Sequence, residues 1–460
     1  MRRFLAVVPF ALSASALLHA ACGGDDTQNI VYQSYDSSFA DVASNDDAVA
    51  PSDAGADAAV TCGPSGTLPT VSPSAQSVWL SQADRVALGL RVGPDSLIAP
   101  VTDSTGAHYV FFSGTPQSAP SGSGGFTLRF AIDGDGGLAP DPTAADGGPL
   151  AVMGDGVVGD VTPGIPGDGG FHGGYGGYDL DYAGGGTPYV CASGRIVYAF
   201  HAENHTDPAN GVRYVGSTQG WTGLGQAHWD DASKRLVKEQ QIIGLHISNA
   251  WTNASDASTT EQTPPASGSG NMVYDADDDS LYLYYNDRTD DPAYAAGDFD
   301  CATESCVAVA RAKASDVCSG VTNPWKKYYN GDFTEPGVYD ATNATEAYPL
   351  GTGGKFTPLF KGAGPTPEVV RVPGAWIMVH RFGAGGIALR SSLDGIAWST
   401  PTQIVTADDG GFSTLYPSLL TDSLGASPCG PWVVTFTEWA NVANVWSNAS
   451  VRKQMLSVTW

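Results

Sequence analysis

Apolar residues along this chain fall in short runs rich in Val, Ile, Tyr and Phe, cut by Gly, Asp and Asn, which is the rhythm of strands and turns. Long amphipathic helical periodicity is nearly absent. The runs recur as pairs, an apolar strand, a short polar turn, then a strand rich in aromatics. They lie at Ser96–Thr102 with His108–Ser113, Pro188–Ala192 with Arg195–His201, Gly270–Tyr274 with Ser280–Asn286, Glu368–Val372 with Ala375–His380, and Thr414–Leu420 with Pro431–Thr437.

Five such pairs, spaced about 45 to 100 residues apart, predict an all-β fold, a five-bladed β-propeller. Outer strands follow the last four pairs, at Gly223–Asp230 with Arg235–Ile243, Cys306–Ala314 with Trp325–Phe333, Gly386–Ser392 with Thr400–Thr406, and Ser450–Val458 alone. The single strand after the fifth pair leaves that blade one short. Ser77–Val92, from the start of the domain, is the expected donor, closing the ring and covering its edge.

Ahead of this domain the pattern changes twice. Met1-Arg2-Arg3 precedes the uncharged run Phe4–Leu18 and the small residues Ala20-Ala21, so residues 1–21 read as a signal peptide. Cys22 directly after two alanines resembles the lipobox of bacterial lipoproteins, which implies an acylated Cys22 and a cell-envelope location, with simple secretion as the alternative. Residues 22–61 continue as an Asp, Ala, Ser and Gly spacer too poor in apolar surface to offset the entropy of ordering it, and residues 62–460 form the propeller domain.

Export changes how the cysteines read. Setting Cys22 aside leaves Cys62, Cys191, Cys301, Cys306, Cys318 and Cys429, an even number that favours disulfides, at least one of them local to 301–318 and one from Cys62 to a late cysteine. Formal charge is −26, and the eight Asp of residues 23–61 account for only part of it. A domain so acidic repels nucleic acid and anionic membrane surfaces, which leaves neutral glycans or cations as partners and a lipid anchor as the only membrane contact.

In a propeller the inner strand of each blade begins, and the second strand ends, at one rim of the central channel. Inner strands here begin near Asp95, Asp181, Asn271, Glu368 and Tyr416, and second strands end in Phe112-Ser113, His201-Ala202-Glu203, Asn286-Asp287-Arg288, His380-Arg381 and Thr437-Glu438. Carboxylates gathered at one mouth suit glycosidic hydrolysis, which needs one acid to protonate the leaving oxygen and one carboxylate to activate water or attack the sugar.

The layout, with Tyr178–Gly186, Phe200–His205, Ala308–Lys313 and Ser392–Trp398, resembles the five-bladed propeller glycosidases of glycoside hydrolase family 43 and its relatives. Ser392-Leu393-Asp394-Gly395-Ile396-Ala397-Trp398 is also similar to the sialidase Asp box, a structural turn. The resemblance implies Asp95 as base and Asp181 as the carboxylate that orients and tunes. Gly268-Ser269-Gly270-Asn271 stands where the family carries its acid, so Glu203, between His201 and His205, is nominated instead, with Asp287 and Glu368 in reserve. His201, His205, Arg288, His380, Arg381 and Glu438 are candidate sugar contacts at the rim, and Trp325, with Trp221, a candidate stacking platform.

No cofactor is required by this chemistry. A divalent cation on His201, Glu203 and His205 is the competing reading, since alternate residues of a strand share a face. Asp275–Asp279 and Asp133–Gly136 look like calcium loops but fall where strand turns are due, and neither ends in the Glu of an EF-hand. A glycan-binding or adhesion propeller without catalysis is the alternative function.

Overall fold

The computed structural model describes residues 62–64, 66–117, 126–133, 136–144, 149–153, 182–204, 221–246, 270–288, 301, 306–340, 342–343, 345, 351–361, 367–383, 385–406, 412–421, 426–440 and 449–460. They form five antiparallel sheets arranged as a five-bladed β-propeller. Blade 1 is built on Ala99–Thr102, His108–Pro116 and Phe126–Ile132; blade 2 on Tyr182–Val190, Ile196–Asn204, Trp221–Asp230 and Arg235–Gly244; blade 3 on Asn271–Asp275, Ser280–Asp287 and Cys306–Lys313 with shorter outer strands. Blade 4 comprises Glu368–Val372, Ala375–Phe382, Gly386–Ser392 and Thr402–Val405.

Blade 5 joins both ends of the domain. Phe412–Leu420, Trp432–Ala440 and Ser450–Thr459 are completed by Thr70–Leu80, paired antiparallel to the last strand, and Cys62–Cys429 fastens the same junction. The closing strand thus precedes the expected Ser77–Val92. After Leu80 the chain turns into the helix Gln82–Ala87, started by a Ser81/Asp84 capping box, and Leu90–Val92 pairs with blade 1 instead. The other disulfides are Cys191–Cys318, from blade 2 to the short helix Ala314–Ser319, and the local Cys301–Cys306.

The second strands are apolar on both faces because each face meets a neighbouring blade. In Ser280–Asp287, Leu281, Leu283 and Tyr285 pack with Val197 and Leu224 of blade 2, while Tyr282 and Tyr284 pack with Val369, Trp376 and Met378 of blade 4. The two-residue strand period therefore divides side chains between two inter-blade cores rather than between core and water. Phe111 with Tyr198, Val434 with Val379, and Phe112 with Val451 fill the cores between blades 1 and 2, 4 and 5, and 5 and 1.

Polar side chains on the inner strands stitch these blades together. Thr187 Oγ1 accepts the backbone N–H of Met272 (2.6 Å), Asn271 Oδ1 that of Val369 (2.7 Å), Glu368 Oε2 that of Leu419 (2.7 Å) and Ser418 Oγ that of Ile98 (2.8 Å). Each donor directly follows its own blade's acceptor position, so the same two residues of every inner strand face both neighbours. At the fifth junction, blade 1 to blade 2, these positions hold Leu97 and Pro188. Proline has no N–H to donate, so the apolar Leu97 leaves nothing unsatisfied there.

Glu368 is thereby a structural acceptor, which replaces the expectation of a reserve catalytic acid. Its carboxyl is buried and is held well above its ordinary 4.5 by that burial, against the hydrogen bonds from Leu419 and Ser418. Glu368→Ala should cost about 1–3 kcal/mol in denaturant unfolding by orphaning the Leu419 N–H, and Glu368→Gln less. A carboxyl raised on folding contributes stability in full below its unfolded value and loses it as pH rises through its folded value. The unfolding free energy of the wild type should therefore fall relative to Glu368→Gln as pH is raised above about 4.5.

Candidate active site

Asp95 immediately precedes the blade 1 inner strand. Its N–H donates to Ser113 O (2.8 Å), and Ser113 N–H donates to Ser96 Oγ (2.7 Å), so the segment is laced to the end of the second strand of its own blade. Buried Arg85 donates to Gly93 O (3.0 Å) and Thr437 Oγ1 to Pro94 O (3.4 Å), fixing the approach from outside and from blade 5. The Asp95 side chain then points to Tyr416 of blade 5, whose phenol donates to Oδ1 at 2.9 Å.

Blade 2 supplies the facing wall. His201 Nε2 lies 2.8 Å from Glu203 Oε1, the two side chains sharing a face of Ile196–Asn204, and the His201 ring stands 5.6 Å from that of Tyr182. The Tyr182 phenol hydrogen-bonds Ser113 Oγ, which ties blade 2 back to blade 1 beside Asp95. This close approach needs the Gly184-Gly185-Gly186 run. A β-bulge lies between Gly184 and Gly186, Gly186 adopts φ +148°, and a Cβ there would fall 1.7 Å from Ala199 O. The run therefore belongs to a bulged strand beginning at Tyr182, not to a loop before a strand starting at Pro188.

Asp95 and Glu203, on neighbouring blades, interact electrostatically. Burial pushes the Asp95 carboxyl up to about 7; the Tyr416 hydrogen bond opposes this, the Glu203 charge reinforces it, and His201 weakens it. Oδ2 of Asp95 has no hydrogen-bond partner among the described residues, and Asp95 is only partly buried.

Other sequence candidates separate from this pair. Asp181 and His205 lie outside the described residues, as does the side chain of Trp221. Asp287, nominated as a reserve acid, is instead a buried pin: Oδ2 bonds Lys327 Nζ (2.7 Å), Oδ1 accepts the N–H of His246 (3.0 Å) and Arg288 (2.8 Å), and Lys327 also donates to Gly244 O. Trp325 is 1% exposed, in the core between blades 2 and 3, and is unable to stack on a sugar. Glu438, also buried, is ion-paired with Arg452 at 2.7 Å.

At the end of the blade 4 second strand, His380 is bound on both nitrogens, Nδ1 to Arg381 O (2.7 Å) and Nε2 to Arg390 Nε (3.1 Å). Burial lowers it to about 4, so the ring is neutral and braces its strand rather than titrating near neutrality. Arg381, next in sequence, is close enough to Tyr416 for the two to interact electrostatically. Arg288 stands half-buried at the equivalent end of blade 3.

Of the two loops that look like calcium sites, residues 276–279 form the turn between two strands of blade 3, and positions 134 and 135 of the other lie outside the described residues. Asp275 and Asp277 pair with Arg371 and Asp278 with Arg311, while Asp133 Oδ1 accepts the N–H of Gly137. Among the described residues no group of three or more His, Cys, Asp or Glu is arranged to hold a metal ion. In the Asp-box segment Asp394 Oδ1 accepts the N–H groups of Ile396 and Ala397, a structural turn as expected.

The molecule is thus a five-bladed β-propeller in which Asp95 precedes the inner strand of blade 1 and the hydrogen-bonded His201 and Glu203 close the second strand of blade 2. Solved structures similar to it include a GH43_1 enzyme from Xanthomonas citri complexed with xylose, at 14% identity and TM-score 0.40 over 81% of this chain and 92% of that one. An endo-1,5-alpha-L-arabinanase from Thermotoga petrophila matches at 10% and 0.42 over 80% and 72%, and the catalytic domain of a Coprinopsis cinerea GH62 alpha-L-arabinofuranosidase at 9% and 0.40 over 84% and 96%. No protein-family model matches the sequence, and no curated protein matches it. At this level of similarity the chemistry rests on the site's own geometry.

Removing one member of the Asp287–Lys327 pair leaves the other charge buried and uncompensated. Lys327→Met should cost about 3–5 kcal/mol in chemical denaturation, whereas Lys234→Met, breaking an exposed pair with Asp231, should change stability by less than about 1 kcal/mol.

Proposed function

We propose that the chain is a glycoside hydrolase acting on an extracellular poly- or oligosaccharide, with Asp95 and Glu203 as its acid–base pair. What supports this reading is that burial pushes the Asp95 carboxyl up to about 7, and that the charge of Glu203, on the neighbouring blade, reinforces the shift. Glycosidic cleavage needs a carboxylic acid that remains protonated near neutrality beside a carboxylate.

Asp95 Oδ2 then protonates the leaving glycosidic oxygen, and Glu203, oriented by His201 Nε2, takes the proton of the attacking water or adds to the sugar carbon itself. This reverses the roles expected from the resemblance, in which Asp95 was the base, because burial favours the neutral form of Asp95. Acylation of Cys22, with residues 23–61 as a tether, would hold the mouth at the envelope surface where such polymers arrive.

Release of reducing sugar from a glycan panel tests the proposal. Asp95→Asn and Glu203→Gln should each lower turnover by roughly 10²–10⁴-fold, and wild-type kcat/KM should fall as pH rises through about 7 as Asp95 loses its proton. No release from any glycan, or full turnover in Asp95→Asn, would overturn it. Glycan binding without release would favour the recognition-protein alternative.

A further inference from the structure

Tyr416 is an anomaly in its strand. A bulky aromatic near the start of an inner strand has φ +52°, in the left-handed region that side chains avoid at a cost of about 1–3 kcal/mol. The pairing of Phe412–Leu420 with Trp432–Ala440 breaks at the same place, its register slipping between Leu415 and Ser418. Two residues on, Ser418 still makes the inter-blade stitch to Ile98. The irregularity is thus confined to a short segment, beyond which the pairing resumes one residue out of its earlier register, as a β-bulge leaves it.

What it achieves is a redirected side chain. Instead of following the strand's alternation, the Tyr416 phenol crosses from blade 5 to blade 1 and donates to Asp95 Oδ1 at 2.9 Å. Arg381, on blade 4, is near enough to Tyr416 for the two to interact electrostatically. Opposite stand His201 and Glu203 of blade 2, and behind the segment Arg85 holds Gly93 O.

We propose that Tyr416 is a positioning residue for Asp95: its phenol, carried from blade 5 to the adjacent blade 1 at the left-handed bulge, occupies Oδ1 and so reserves Oδ2 for the proton that is transferred. The step this serves rests on the hydrolase reading above. The local claim does not, because it concerns where the Asp95 proton resides in the unliganded protein.

A carboxylate accepting a hydrogen bond is stabilised in its charged form, so removing the donor should make Asp95 hold its proton to higher pH. Tyr416→Phe keeps the ring and the backbone and deletes only the donor. Carboxyl-carbon NMR of 13C-aspartate-labelled protein, with the Asp95 signal identified by its loss in Asp95→Asn, follows that proton directly and needs no substrate.

Tyr416→Phe should raise the Asp95 titration midpoint by ~1 unit, on the scale of one charge-assisted hydrogen bond. With a hydrolysed glycan in hand, the alkaline limb of kcat/KM should move up by the same amount. An unchanged or lowered midpoint in correctly folded Tyr416→Phe overturns the proposal. A raised midpoint in a protein that hydrolyses no glycan would sustain it while sinking the hydrolase reading.

Discussion

Backbone N–H groups at the channel wall have no strand partner on the open side, and the propeller depends on how they are satisfied. Thr187, Asn271, Glu368 and Ser418 each hand a side-chain oxygen to the next blade's inner strand, and the Leu97–Pro188 junction removes the donor instead. A buried N–H without a partner costs about 1–3 kcal/mol, a large share of the net stability of a marginally stable fold. The stitch therefore sets the angular spacing of blades, and with it which rim residues meet.

The same constraint sorts the acidic side chains of the channel. Glu368, Asp287 and Asp95 all stand at inner-strand starts or second-strand ends, the first two buried and Asp95 partly so, yet their oxygens meet different fates. Glu368 serves a neighbouring backbone, and Asp287 is surrounded by Lys327, His246 and Arg288. In Asp95, Oδ1 accepts from Tyr416 and Oδ2 has no hydrogen-bond partner among the described residues. Burial raises the proton affinity of a carboxyl, but only an oxygen open to a ligand turns that affinity into chemistry.

Much of the fold was legible because its signal is local. The strand pairs from Ala99–Thr102 to Trp432–Ala440 appear where the aromatic and β-branched runs stand, and the need for a closing strand followed from counting outer strands in the last blade. The closing strand itself was misplaced, since Thr70–Leu80 is exposed along most of its length and lacks the apolar alternation that marks an inner strand. The glycine run at 184–186 concealed a bulged strand for the opposite reason, having no side chains to alternate.

The site was legible only as a rim. Strand ends named Asp95, His201, Glu203 and Tyr416 together with Asp287, Glu368 and Glu438, but hydrogen-bond partners from other blades separate the open carboxyl from the occupied ones. Lys327 and Arg452 are far in sequence from, or unremarkable beside, the acids they neutralise. Trp325 carried the composition of a stacking platform and the burial of a core residue, a distinction that the sequence around it does not encode. If Asp95 and Glu203 share one electrostatic environment across two blades, removing the Glu203 charge eases ionisation of Asp95. Carboxyl-carbon NMR of Glu203→Gln reads this directly: the Asp95 titration midpoint should fall below that of the wild type, and a midpoint that stays in place would refute the pairing.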